Sequence, residues 1–147
     1  MNVPVAKVLS ERLPRIFAAG ADHSDVQRVI TQVTDMSLWP QAWLALATGY
    51  ERQGEKALEN GAHTTAGEAF ARQALYCHFG QFAFFGDEDL KRRLQAMQNV
   101  AYQRAAPYLS PPGIHLEIAT TGAMMRGVLR VPEADRPPPC VILVPGA

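Results

Sequence analysis

At Ser110-Pro111-Pro112-Gly113 the spacing of apolar residues changes, and with it the kind of element the chain can form. Before this break they recur every three or four positions, the period of a helix face; after it they alternate singly, the period of a strand. A helical block that gives way to strands predicts two regions, residues 1–112 and residues 113–147.

The helical block is punctuated legibly. Val5, Val8, Leu9, Leu13, Ile16 and Phe17 trace a first helix, with Pro14 expected to kink or end it. Asp22 and Ser24 are placed to cap a second helix near residues 25–33. Pro40 stands where a first helical residue often does, and Trp43, Leu46, Ala47, Tyr50, Gly54, Ala57 and Leu58 follow on one face until Asn60-Gly61. A fourth helix is predicted from Thr64 or Thr65 to Phe85. Ala66, Ala69, Phe70, Ala74, Cys77, Phe82 and Phe85 make it apolar over a wide arc, as in a helix surrounded by others. Gly86 stops it, and Asp87, Glu88 and Asp89 put negative charge at the start of a fifth helix carrying Leu90, Leu94, Met97, Ala101 and Tyr102.

Beyond Gly113, Ile114, Leu116 and Ile118 alternate with His115, Glu117 and Ala119. A turn at Thr121-Gly122 and a second alternating run around Gly127, Leu129 and Val131 complete an antiparallel hairpin. After a proline-rich connection at residues 133–139, Val141 to Val144 read as a strand buried on both faces, the kind found inside a covered parallel sheet. Three strands cannot cover such a strand, so the expectation is the opening of an α/β sheet in a longer protein.

Lys plus Arg equals Asp plus Glu at 14 each, a balance that offers no net field to nucleic acid or an anionic membrane. Neither partner is expected. The N-terminal stretch interleaves charged and apolar residues, unlike a signal peptide or membrane span, and a cytoplasmic location is the default. Cys77 and Cys140 lie far apart, without a CxxC or a histidine pair at metal spacing, so no metal site is expected and both cysteines read as packing residues.

Four stretches in order carry a family resemblance: AGEAFARQALYCHF (residues 66–79), AYQRAAPYLSPP (residues 101–112), GVLRVP (residues 127–132) and PPCVILVPG (residues 138–146). Together they resemble the beginning of an α/β-hydrolase of the FrsA-like esterase group, from about Trp43 to the end of the chain. The resemblance implies a helical lid over an active site, followed by the first strands of the hydrolase sheet. It implies a serine nucleophile acting at a carbonyl carbon of a small-molecule substrate, in an ester or beside a ketone at a C–C bond, with no cofactor. It also implies that the loop opened by Gly146 and Ala147 lends an N–H to the oxyanion hole; which N–H serves stays open. No G-x-S-x-G is present, and the triad of such enzymes would follow residue 147, so these residues alone are expected to be inactive.

Among the four histidines, His23 and His63 fall at helix starts and His115 on an edge strand, where surface roles are usual. His78 lies with Tyr76, Phe79 and Phe82 on the widely apolar helix, and these four residues either line a pocket under the lid or simply form core. Glu68 and Arg72, four apart, read as a solvated ion pair. A homodimer through the helical block is compatible with its apolar arcs. The rival reading is a tetratricopeptide-type interaction protein, based on Trp43, Leu46, Ala47, Tyr50 and Gly54 followed by the helix from Ala66 to Ala74, but one copy of such a pair cannot make a solenoid and the strands have no place in it.

Overall fold

The computed structural model describes residues 5–82 and 86–143. The expected positions Phe85, Val144, Gly146 and Ala147 lie outside the described residues.

Helix α1 spans Val5–Ala18, α2 His23–Gln32, α3 Trp39–Glu59, α4 His63–Gln81 and α5 Glu88–Ala105, with single 3-10 turns at Met36–Leu38 and Ala106–Tyr108. α1 runs through Pro14 without ending. The proline removes one backbone bond, but Leu9, Leu13, Ile16 and Phe17 on either side of it pack into the core and hold the helix together. Asp22 caps α2, its Oδ1 accepting from the N–H groups of Ser24 and Asp25. Asp87 caps α5 in the same way by accepting from Leu90 N–H, and Glu88 and Asp89 sit in its first turn. α3 ends where Gly61 takes φ +70°, a conformation open to glycine.

α4 is the central helix, packed between α3 and α5. Trp39, Trp43, Tyr76, Phe79, Ile16, Val26 and Val29 form the main core, and Phe70 with Ala57, Ala66 and Ala105 forms a second cluster further along. The indole N–H of Trp39 reaches the carbonyl of Phe79 at 2.7 Å, tying α3 to the end of α4. Gly54 lets the two helices meet closely, since a Cβ there would stand 2.5 Å from Cε1 of Phe70. The ring of Phe70 also carries the Arg104 guanidinium 4.0 Å from its centroid, itself paired with Glu55 and Glu51.

Strands β1 (Gly113–Thr120) and β2 (Ala123–Arg130) pair antiparallel around the two-residue loop Thr121-Gly122, in which Gly122 takes φ +90°. Arg130 anchors the hairpin base by donating to the carbonyls of Ser110 and Pro111. The apolar side of the hairpin is not covered: Ile114, Ile118, Met125 and Leu129 stay exposed. The expected strand from Val141 is likewise unformed over its described part, and Val141, Ile142 and Leu143 are 79%, 80% and 89% exposed. A strand needs a paired edge, and the hairpin ladder among the described residues joins only β1 to β2.

Candidate active-site groove

A groove of ≈ 1080 Å³ opens between α4, α5, the hairpin and the turn after α1. α4 lines it with Glu68, Arg72, Leu75 and His78, residues three or four apart and therefore on one stripe. α5 faces them with Gln98, Asn99, Tyr102 and Gln103. The hairpin contributes His115, Arg126 and Val128, which its register places on a common face. Arg126 is held by Glu117 across the ladder at 3.1 Å.

The four lid-pocket candidates separate. Tyr76 and Phe79 are fully buried among Trp43 and its neighbours and belong to the core. His78 alone of the four lines the groove. Its ring stacks on Phe82, over which the guanidinium groups of Arg12 and Arg15 sit at 5.0 and 5.2 Å. Burial, helped by the charge of Arg15, lowers the His78 pKa, so the imidazole is neutral at pH 7 and can donate one hydrogen bond and accept another. His115 is exposed on the groove wall, while His63 stacks on Tyr108 at a helix start. Cys77 is buried; burial, with a smaller effect of Glu51, pushes its thiol up to about 11, so it is no nucleophile. Cys140 is exposed and unpaired. No group of His, Cys, Asp or Glu that could hold a metal occurs among the described residues.

Glu68 and Arg72 do not form the expected ion pair; the Arg72 guanidinium instead lies 5.6 Å from the centre of the Tyr50 ring. Aromatic attraction there competes with a pair that would contribute only about 0.3–0.5 kcal/mol in water.

A polar cluster beside the groove joins residues that no sequence motif brings together. Asp25 is 3% exposed, and its Oδ2 accepts from the hydroxyls of Tyr50 at 2.7 Å and Tyr76 at 2.6 Å. Arg28 reaches its other oxygen at 3.4 Å, and Tyr76 Oη in turn accepts from Asp22 N–H at 3.3 Å. Burial first, and the Asp25 carboxylate second, raise the pKa of both tyrosines and keep them as donors. The available signal was Asp25 standing four residues before Val29, a carboxylate in an otherwise apolar stripe.

The helices and the strands match one family together. Residues 6–147 fit the family model described as Esterase FrsA-like. The chain belongs to the FrsA-like esterase family. It is 32% identical over 132 residues to 2,6-dihydropseudooxynicotine hydrolase of Paenarthrobacter nicotinovorans, covering 90% of this chain and 35% of that relative. Its fold is similar to the crystal structure of the 2,6-dihydroxy-pseudo-oxynicotine hydrolase with a TM-score of 0.72 and 31% identity, over 82% of this chain and 33% of that one. The FrsA-like chain thus spans about a third of the relatives it matches, and its helical block and hairpin are those of an α/β-hydrolase. The tetratricopeptide reading is not favoured, because the family match runs through helices and strands alike.

No helix among the described residues is long and apolar enough to cross a membrane.

Proposed function

We propose that this segment is the lid and the first strands of a serine-type α/β-hydrolase that attacks a carbonyl carbon of a small molecule, in an ester or at a C–C bond beside a ketone. The observation that carries the reading is the match of residues 6–147 to the esterase family, joined by a relative named for hydrolysis of 2,6-dihydropseudooxynicotine. On this reading the groove between α4, α5 and the hairpin is the lid side of the substrate pocket. The triad is carried by chain that follows Ala147, and Gly146 and Ala147 open the loop that offers one oxyanion donor. A serine there attacks, a histidine takes its proton and gives it to the departing group, a water activated by the same histidine then releases the acid from the acyl-enzyme and restores the serine, and the lid shields the pocket from bulk solvent. The enzyme works in the cytoplasm without a cofactor.

The test is to express the polypeptide that continues through residue 147 and treat it with a fluorophosphonate probe. Labelling of a serine within a G-x-S-x-G, with loss of para-nitrophenyl ester hydrolysis on its replacement by alanine, supports the proposal. Hydrolysis that persists after that replacement overturns the serine mechanism, and the absence of any hydrolysis or labelling overturns the enzyme reading.

A further inference from the structure

The polar side chains that line the groove mostly have partners. Arg72 has the Tyr76 hydroxyl as hydrogen-bond partner and the Asp22 carboxylate as a nearby charge, and Arg126 is paired with Glu117. The amide oxygens of Gln98 and Asn99 accept from Gln81 and Gln95. His78 differs. It is half-buried, yet no hydrogen bond among the described residues reaches either ring nitrogen, and burial and the charge of Arg15 both oppose its protonation. An imidazole packed into a finished core normally has a partner. The ring is nonetheless held in place: it stacks on Phe82 with the centroids 5.8 Å and the planes 28° apart, and the buried ring of Phe79 stands 5.4 Å away. Leu75, Ala74 and Ala71 continue its stripe along the groove and carry no polar side chain. The exposed carboxylate of Glu68 lies about 15 Å away, toward the start of the same helix.

A neutral imidazole adds to this wall what the arginines cannot, an acceptor nitrogen. Along an apolar stretch of a groove, a few fixed polar groups of this kind decide how a ligand is turned. We propose that His78 is a substrate-binding residue of the lid, its unprotonated ring nitrogen accepting a hydrogen bond from an uncharged O–H or N–H of the substrate. A cationic donor would meet Arg12 and Arg15, whose guanidinium groups stand over the Phe82 ring on which the imidazole stacks, and an anion brings no proton to share. His78 orients the substrate and takes no part in the bond that breaks. This inference rests on the hydrolase reading above and deepens it by naming a residue that selects among carbonyl substrates and the group it selects.

The test uses the full-length enzyme and para-nitrophenyl esters of phenylacetic acids that carry a hydroxymethyl, a carbamoyl or a methyl group at the meta or para position. Wild type is expected to favour the hydroxymethyl or the carbamoyl ester over the methyl ester in KM by about three- to tenfold, the effect of one neutral hydrogen bond, and the favoured ester tells O–H from N–H. His78→Phe, which keeps a ring against Phe82, should abolish the preference with kcat changed little. His78→Gln, whose amide oxygen can accept, should recover part of it. The preference should also fade as pH falls below about 6.5, because protonation removes the acceptor. The other charged and titratable groups on the groove or beside the ring are Arg12 and Arg15 from α1, Glu68 and Arg72 from α4, Tyr102 from α5, and His115 and Arg126 from the hairpin. The assignment therefore requires the pH dependence to vanish in His78→Gln and to persist in His115→Asn. Equal KM changes for all three esters in His78→Phe, or turnover of all three by wild type without preference, would assign His78 a purely structural role and overturn the inference. The corresponding amides give a readout independent of turnover, in nitrogen NMR spectra of histidine-labelled protein. A saturable shift of the His78 resonance with the hydroxymethyl or carbamoyl amide, and none with the methyl amide, supports the site even where no ester is cleaved, a result that would count against the hydrolase reading alone. Equal shifts with all three amides, or none with any, overturn the site.

Discussion

Replacing Asp25 by alanine should destabilise the protein more than any exposed substitution. The side chain accepts from Tyr50 at 2.7 Å and Tyr76 at 2.6 Å, and hydrogen bonds to a charged group contribute about 1.5–3 kcal/mol each. Tyr76 is fully buried and Tyr50 half-buried, which places the first bond near the middle of that range and the second at its lower end. The hydroxyl of Tyr76 would be left buried with its proton unplaced. The expected loss for Asp25→Ala is therefore about 3–4 kcal/mol, a large part of the ~5–15 kcal/mol that holds a typical domain together. Tyr76→Phe should lose about 2 kcal/mol and Tyr50→Phe about 1.5 kcal/mol. Because the three groups form one unit, Asp25→Ala combined with Tyr76→Phe should cost less than the sum of the two, by about 1 kcal/mol or more. Trp39 and Trp43, both buried, report unfolding by fluorescence in urea. A loss below about 1 kcal/mol for Asp25→Ala, or strict additivity in the double-mutant cycle, would show that desolvation of the carboxylate cancels its bonds and would refute the reasoning.

Gly54→Ala should destabilise by about 1–3 kcal/mol, because its Cβ would meet three atoms of the Phe70 ring at 2.5–2.8 Å; urea midpoints of this variant and of Gly49→Ala, where no atom lies within 4 Å, separate crowding from helix propensity. His78 has a lowered pKa in the fold, so its contribution is present above the ordinary histidine value of about 6.5 and lost as pH falls below it toward the lowered value. Stability measured from pH 7 downward should therefore decline less steeply in His78→Gln than in wild type, and parallel slopes would exclude the effect. Tyr50 and Tyr76 have raised values, so their contribution is present below about 10 and lost at higher pH; alkaline unfolding should be shallower in the Tyr76→Phe variant. The exposed Val141, Ile142 and Leu143 should bind a hydrophobic dye, and replacing Ile142 by Asp should lower the signal; equal fluorescence in both proteins would place the dye elsewhere.

Local rules were sufficient where neighbouring residues settle the outcome among themselves. The caps at Asp22 and Asp87, the end of α3 at Asn60-Gly61 and the turn at Thr121-Gly122 are each built from residues within a few positions of one another, and the sequence states them directly. The change of period at Gly113 likewise separates helices from hairpin, because periodicity reflects which face is apolar and needs no knowledge of the partner.

Tertiary packing decided what periodicity leaves open. One helix, α4, carries Tyr76 and Phe79 into the core and His78 to the groove, although all three read as one apolar arc, since only the positions of α3 and α5 determine which side each meets. Pro14 fails to end α1 because packing on both sides outweighs one missing bond. Arg72 leaves Glu68 for a tyrosine from another helix, and Asp25 meets hydroxyls 25 and 51 residues away. Such contacts join residues that sequence spacing never brings together. The chain alone therefore determined its helices, its hairpin and its family, but not the strand expected from Val141, and the groove and the buried carboxylate beside it exist only once three helices have been brought into register by their shared core.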